Sequence, residues 1–291
     1  MKHAGKSMVL CLVWLMAVFN VAVAEENKPV LPQPSKMVEY KKVERKGQEY
    51  SLKLHIFNPP KHDVKSKTPC ILMFHGGGWS GGEPSLFYKA CNDYASRGMV
   101  AISAEYSIRN VHQGTPFDSV TDGRSAVRWV RKHAQELGVN PDMIAAGGSS
   151  AGGQVAAAAA FLTTFDDKGD DLSISPKPNA LVLTSPVFDN GPDGYGHSKV
   201  KDRWKEFSPS HNVAKGAPPT LICMGDSEPT YLKVKVAEEF QAKMKELGSR
   251  CELLVLEGMQ HGKRSSKHTK QIKAETDRFL ISLGYMKAAG K

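Results

Sequence analysis

The most informative stretch of the sequence is Ala146-Gly147-Gly148-Ser149-Ser150-Ala151-Gly152-Gly153. The short apolar run Met143–Ala146 leads into it, and the alanine-rich segment 151–164 follows it directly. A strand, a glycine-rich turn and a helix in this order form the unit from which parallel sheets with crossover helices are built. The stretch therefore predicts an α/β architecture, with the turn at the carboxyl end of a central strand.

The same stretch contains the pattern G-x-S-x-G with Ser150 at its centre. In this context the chain turns so sharply from strand to helix that the serine hydroxyl stands clear of the sheet. Side chains at Gly148 and Gly152 would clash in that turn, and the following helix points its first amides at the reacting centre. The pattern predicts that Ser150 is a nucleophile. The alternative is a glycine-rich turn that merely packs closely.

Strand and helix patterns alternate along the rest of the chain. Two alternating runs, Met37–Val43 and Tyr50–Phe57, flank the hairpin signal Lys46-Gly47. Six short apolar runs predict further strands, namely Cys70–Phe74, Met99–Ala104, Met143–Ala146, Ala180–Leu183, Thr220–Met224 and Leu253–Leu256. Helical periodicity covers 118–137, 151–164, 233–247 and 266–283. Because apolar strands alternate with amphipathic helices, we predict a mostly parallel, eight-stranded-type sheet with helices on both faces.

The organisation predicted is one domain, 37–291, interrupted by a small inserted loop at 188–217 that is rich in glycine, proline and charge. Residues 25–36 contain three prolines and predict an extended leader. Residues 1–24 combine a basic start, the apolar run Met8–Phe19 and the cleavage pattern Ala22-Val23-Ala24. This is the layout of a signal peptide, so we expect a secreted or periplasmic protein without stable membrane insertion after cleavage. An uncleaved membrane anchor is the alternative.

Charge and cysteine content exclude some classes of function. The full chain has 39 basic and 30 acidic residues, and removal of Lys2 and Lys6 with the signal peptide leaves a net charge of about +7. The basic residues are scattered, so we predict no nucleic-acid binding. The mature cysteines, Cys70, Cys91, Cys223 and Cys251, show no metal-ligand spacing, and whether any of them pair stays open. We predict no metal site and no organic cofactor.

A second motif, His75-Gly76-Gly77-Gly78-Trp79, follows the predicted strand Cys70–Phe74. Successive glycines allow backbone N–H groups to turn towards an oxyanion. Acyl transfer needs such hydrogen-bond donors. A phosphate-binding nest is the alternative, but no G-K-[ST] follows. The third motif is the loop Gly258-Met259-Gln260-His261-Gly262, which follows the last predicted strand. A histidine placed there, after the nucleophile in the chain, has the order expected of a general base.

The three motifs together resemble the α/β-hydrolase esterases of the hormone-sensitive-lipase type and related carbohydrate-esterase-like hydrolases. The resemblance covers about residues 50–285. It implies that the oxyanion is held by the amides of Gly77, Gly78 and Ala151, with Gly76 as the nearest substitute, and that His75 holds the loop.

The resemblance also implies a triad acid on the loop Gly225-Asp226-Ser227-Glu228. Such esterases usually carry an aspartate three residues after the glycine, and this chain has Glu228 at that position. Glutamate is an accepted third member because its task is to orient the imidazole. Asp226 is the rival, although an aspartate there can simply cap the turn. We favour the set Ser150, Glu228 and His261.

The predicted function is hydrolysis of short-chain acyl esters through an acyl-enzyme. The relatives with a small insertion resemble acetyl-xylan and feruloyl esterases, which implies acetyl or feruloyl groups on polysaccharide as substrates. Trp79, Tyr195 and Trp204 are candidates for stacking on a sugar, or else packing residues. A non-catalytic binding module on the same fold and a small serine peptidase are the two alternatives from other classes.

Overall fold

The computed structural model describes residues 30–229 and 232–288. The predicted signal peptide and the first part of the leader therefore lie outside the described residues. Ser35, near the end of the leader, already donates its backbone N–H to Ile56 O at 2.7 Å.

Eight strands form one sheet around the strand that carries the glycine-rich turn. They are β1 Lys36–Arg45, β2 Gln48–Phe57, β3 Thr68–Phe74, β4 Val100–Ala104, β5 Val139–Ser149, β6 Ala180–Thr184, β7 Thr220–Gly225 and β8 Cys251–Leu256. Their order across the sheet is β1-β2-β4-β3-β5-β6-β7-β8. The first two strands form an antiparallel hairpin, β2 is antiparallel to β4, and the remaining pairs are parallel. The predicted α/β-hydrolase fold with a mostly parallel sheet is confirmed.

Helices connect the strands across both faces of the sheet. They are α1 Tyr88–Ser96, α2 Arg109–His112, α3 Pro116–Lys132, α4 Ala151–Phe161, α5 His197–Val200, α6 Trp204–Phe207, α7 Val234–Glu246 and α8 Ser266–Ser282. The helix predicted over 118–137 begins two residues earlier, at Pro116, because Thr115 is its N-cap and forms a capping box with Asp118 in the first turn. It ends five residues earlier than predicted, and the following residues form a turn.

The strand side chains divide between two buried clusters according to the two-residue period of a strand. In β3, for example, Leu72 and Phe74 belong to the cluster beneath α3 and α4, whereas Ile71 and Met73 belong to the cluster beneath α1 and α8. The parallel strands are therefore buried on both faces, as their continuous apolar runs predict.

The segment 188–217, predicted as an inserted loop, contains α5 and α6 together with two 3-10 turns. Phe207 at the end of α6 is fully buried in the main core. The segment is thus docked on the domain by its own hydrophobic anchor, which the polar composition did not indicate.

The four cysteines of the described chain are all free and buried. None of the described helices is both long and apolar enough to cross a membrane.

Candidate active site

Ser150 lies on the turn between β5 and α4 with φ 56° and ψ −124°, a conformation that non-glycine residues rarely adopt. A Cβ at Gly148 would lie 2.5 Å from the carbonyl oxygen of Gly152, and one at Gly152 would lie 2.1 Å from that of Phe74. Both glycines are therefore required by close backbone contact, as predicted. The turn holds a strained, partly exposed serine at the carboxyl edge of the sheet.

The structure brings the three predicted triad residues together. His261 Nε2 lies 3.0 Å from Ser150 Oγ, and His261 Nδ1 lies 3.0 Å from Glu228 Oε2. The Glu228 side chain is 1% exposed and that of His261 28%. The carboxylate is thus shielded, while the imidazole reaches the cavity. This is the geometry in which an imidazole accepts a serine proton and a buried carboxylate fixes its tautomer.

Glu228 is held as a carboxylate by its partners. Burial on its own would raise the pKa of Glu228, but hydrogen bonds from His261 and from the hydroxyl of Ser185 outweigh burial and lower it. Ser185, which follows β6, was not indicated by any sequence motif. Asp226 turns elsewhere, since its Oδ1 accepts the backbone N–H of Gly258 at 2.7 Å. The contact with His261 is therefore made by Glu228, and Asp226 fastens the loop that carries the histidine.

In the glycine loop after β3, hydrogen bonds to the backbone carbonyls fix the directions in which the backbone N–H groups point. His75 Nδ1 donates to Gly76 O at 2.9 Å, and the Gly77 carbonyl accepts the N–H groups of Ser80 and Gly81, each at 3.0 Å. In a trans peptide the N–H points opposite to the carbonyl, so these bonds also fix the N–H directions of Gly77 and Gly78. Within the described chain, neither of those two amides donates to a protein acceptor. They remain available to an oxyanion.

Ala151 and His75 also belong to the candidate oxyanion site. Ala151 is the first residue of α4, so its amide has no acceptor within the helix. His75 is buried and stacks on Tyr106 with ring centroids 4.5 Å apart, and burial lowers its pKa. The neutral ring donates through Nδ1, which gives the loop-holding role predicted for His75 a definite contact.

The insertion also holds the glycine loop, which the sequence motifs did not indicate. Lys199 Nζ donates to Gly78 O at 2.9 Å and lies 5.7 Å from the ring centroids of both Trp79 and Tyr195. Behind the loop, Trp79 Nε1 donates to the buried Gln154 of α4 at 3.2 Å, and Gln154 Nε2 donates to Phe207 O at 3.2 Å. One buried amide therefore joins the loop, the nucleophile helix and the insertion. The sequence signal that could have indicated this bridge is Gln154 itself, a polar residue within an alanine-rich helix.

A cavity of about 340 Å³ opens above Ser150. It is lined by Gly76, Gly77, Gly78, Ser149, Ser150, Tyr195, Leu232, His261 and Gly262. Of the three aromatic residues considered for sugar stacking, only Tyr195 lines it. Trp79 is 1% exposed, so its proposed role in stacking on a substrate is wrong, and packing in the core is its observed role. Trp204 lies outside the lining and packs edge-on against His211.

Comparison with known proteins agrees with this geometry. Residues 54–187 match the family model described as BD-FAE. Carboxylesterase NlhH of Mycobacterium tuberculosis is 29% identical over 132 residues, which are 43% of this chain and 40% of that relative. Esterase LipI of the same organism is 32% identical over 92 residues, 31% of this chain and 28% of the relative. The chain thus aligns with well under half the length of these curated relatives.

Solved structures give matches over nearly the whole chain. Thermogutta terrifontis esterase 2 phosphoramylated by tabun is 34% identical with a TM-score of 0.83, covering 90% of this chain and 98% of that one. The same esterase with propionate bound is 33% identical with a TM-score of 0.80, covering 88% and 96%. This chain therefore belongs to the α/β-hydrolase serine carboxylesterases of the hormone-sensitive-lipase type.

Proposed function

We propose that this protein hydrolyses short-chain acyl esters through a covalent acyl-enzyme on Ser150. The observation that carries the proposal is the continuous set of contacts from buried Glu228 through His261 to Ser150, beside a loop with two unpaired amides. Nucleophile, base, orienting acid and oxyanion donors are the full set that ester hydrolysis requires.

In the proposed reaction, His261 Nε2 takes the Ser150 proton as Oγ attacks the ester carbonyl. The oxyanion accepts hydrogen bonds from the amides of Gly77, Gly78 and Ala151 while Glu228 stabilises the imidazolium. The imidazolium then returns the proton to the leaving alkoxide, so the alcohol departs and Ser150 is acylated. Water, deprotonated by the same histidine, attacks the acyl-enzyme and releases the acid.

The small cavity supports a short acyl group. Tyr195, Leu232 and the glycine loop surround the nucleophile at close range. The related Thermogutta esterase has been solved with propionate bound and with butyrate bound. We propose acetyl to butyryl esters as the preferred model substrates, and acetyl or feruloyl groups on a polysaccharide as the natural ones.

We also propose that the protein acts after export, either secreted or in the periplasm. The support is the sequence pattern of residues 1–24, a basic start followed by an apolar run and a small-residue site. Mass spectrometry of the protein isolated from its own cells tests this. A mature chain beginning at Glu25 is expected, and an intact Met1 terminus would overturn the proposal.

Hydrolysis of 4-nitrophenyl acetate, butyrate and octanoate tests the catalytic proposal. Turnover of the two short esters is expected to exceed that of octanoate and to disappear in Ser150→Ala. Ser96→Ala is the matched control, because Ser96 is exposed on α1 and its hydroxyl donates to the nearby Asp93 carbonyl, its one side-chain bond among the described residues. Equal activity in wild type and Ser150→Ala would refute the role of Ser150.

Release of acetate from acetylated xylan, compared with release of ferulate from feruloylated arabinoxylan, then decides between the two natural acyl groups. No release from either polymer would overturn the polysaccharide proposal while leaving the esterase proposal intact.

A further inference from the structure

The arginines near the active site differ from the other arginines of the chain in the partners that their side chains contact. The chain has ten arginines, all within the described residues. Seven of them form ion pairs with carboxylates. Arg131 instead donates to four oxygens of the backbone and of Asn179. The two that remain are Arg109, whose backbone N–H donates to the Trp79 carbonyl next to the glycine loop, and Arg264, which donates to Ser149 on the cavity wall.

Arg264 follows the catalytic loop and is joined to the cavity wall. Its Nη2 donates to Ser149 Oγ at 3.1 Å, and Ser149 is the residue before the nucleophile and lines the cavity. No carboxylate of the described residues lies within ion-pair distance of this guanidinium. Glu228 interacts with it only through space, and that carboxylate is already bonded to His261 and Ser185. Of the five N–H donors of Arg264, one bonds an acceptor within residues 30–229 and 232–288.

Two more cationic residues contact the glycine-loop segment 75–79. Arg109 donates its backbone N–H to Trp79 O at 3.0 Å, and Lys199 Nζ lies on Gly78 O. Neither side chain forms an ion pair with a described carboxylate. Burial and the neighbouring charge of Arg109 together lower the pKa of Lys199. Lys199, Arg109 and Arg264 thus form no ion pair with a described carboxylate, and Glu228, the acid of the site, is already bonded to His261 and Ser185.

We infer that Arg264 binds a carboxylate of the substrate, so that the protein selects esters carrying negative charge near the scissile bond. The inference rests on the proposed esterase function and adds the chemical class of its substrate. A guanidinium presents paired donors that match a carboxylate, and its single bond to a neutral hydroxyl leaves that pairing free. Arg109 and Lys199 add to the attractive field, which steers anions towards the cavity.

The carboxylate can belong to the acyl half or to the alcohol half of the ester, and two pairs of probes distinguish them. The acyl pair is mono-4-nitrophenyl adipate against neutral 4-nitrophenyl hexanoate. The alcohol pair is 4-acetoxybenzoate against its neutral methyl ester. In each pair the measured quantity is the ratio of kcat/KM for the charged ester to that for the neutral ester.

Arg264→Gln is expected to lower this ratio about five- to tenfold in one of the two pairs, the usual range for one solvent-exposed charge-assisted contact. Arg264→Lys keeps the charge without the paired donors and should lose part of the preference. Lys65→Gln is the matched control, since it removes one positive charge in the exposed loop before β3, at the opposite end of the sheet from Ser150. The pair that responds shows which half of the substrate carries the carboxylate.

An unchanged ratio in both pairs, or an equal fall in Lys65→Gln, would overturn the inference. If no ester is turned over, the proposed function fails, and calorimetry with adipate and neutral adipamide decides the anion site separately. Adipate binding that weakens in Arg264→Gln supports the site. Adipate binding equal in the two proteins, or no stronger than adipamide binding, overturns it.

Discussion

At the residue scale, the loop after β7 carries two carboxylates with different partners. Glu228 accepts from His261 and Ser185, whereas Asp226 accepts from the backbone of Gly258. The first contact orients a reacting group, and the second only fastens a loop.

Glu228→Gln is expected to lower kcat for 4-nitrophenyl butyrate by about 10³- to 10⁴-fold, because an amide can hold the imidazole in the wrong tautomer. Asp226→Asn is the matched control and should cost less than about tenfold, since an amide oxygen still accepts from Gly258. Steady-state kinetics on both variants checks this. A larger loss in Asp226→Asn would contradict the assignment of the acid.

The sequence indicated Ser150, His261 and the glycine loop because each lies in a local pattern of a few residues. Glu228 was favoured over Asp226 by its spacing from Gly225, while the deciding contact spans 33 residues. Ser185, Lys199 and Arg264 carry no local pattern. Each acquires its role from a partner far along the chain, 43, 121 and 115 residues away, respectively.

At the element scale, Gln154 joins three elements that form the cavity walls. Gln154→Leu should lower the free energy of unfolding by about 2–4 kcal/mol, because it leaves the Trp79 indole N–H and the Phe207 carbonyl buried without partners. Urea denaturation measures the effect. Gln241→Leu is the control, because that half-buried glutamine donates one bond to Cys251 O, and it should cost about 1 kcal/mol or less. Equal losses would contradict the bridging role.

An ion-pair cluster fixes α3 to the segment that follows α4. Asp166 lies 2.6 Å from Arg124 and 2.7 Å from Arg128, and both arginines are buried. Burial would raise the pKa of Asp166, but its bonds to the two arginines outweigh burial and lower it from 3.8. A carboxylate with a depressed pKa stabilises the fold above its ordinary pKa and loses this effect as pH falls through the folded value.

Asp166→Asn should therefore be less stable than wild type by about 2 kcal/mol at pH 7, with the difference shrinking as pH falls below 3.8. Denaturant titration from pH 7 to pH 3 checks the trend. Asp142→Asn is the surface control: it removes an exposed carboxylate that forms no ion pair within the described residues, and it should change stability at pH 7 by less than about 0.5 kcal/mol. A difference that stays constant with pH would contradict the assignment.

The elements themselves were predictable where burial imposes a regular period. Each of the eight strands was anticipated, since buried strands need apolar runs. β5 begins four residues before its predicted run, and this part was not predicted because Asn140, Pro141 and Asp142 interrupt the apolar pattern and are at least partly exposed. The helix α1 was missed, because its buried face consists of only Cys91, Tyr94 and Ala95.

At the scale of the whole molecule, the sequence predicted a mostly parallel sheet with helices on both faces. It did not predict that β4 lies between β2 and β3, because strand order depends on contacts between distant segments. The insertion appeared to be a loop because its composition is polar, and the apolar side chains that dock it, Phe188, Val200 and Phe207 among them, are scattered along the segment.

The free, buried cysteines make a prediction for the whole fold. In protein produced from Glu25 onwards, a thiol reagent such as 5,5′-dithiobis(2-nitrobenzoate) should label the folded state slowly and react with all four thiols once guanidinium unfolds it. Burial raises the pKa of Cys223 and of Cys251 to about 12, which further suppresses the reactive thiolate. Rapid labelling of the folded protein, or fewer than four thiols after unfolding, would contradict the buried, unpaired state.

The most direct test of the central claim is covalent labelling by diethyl 4-nitrophenyl phosphate followed by peptide mapping. We expect one equivalent of 4-nitrophenolate, a diethylphosphoryl group on Ser150, no label in Ser150→Ala and slow labelling in Glu228→Gln. Labelling of another residue, or an equal rate in Ser150→Ala, would contradict the assignment of Ser150, Glu228 and His261 as one catalytic unit.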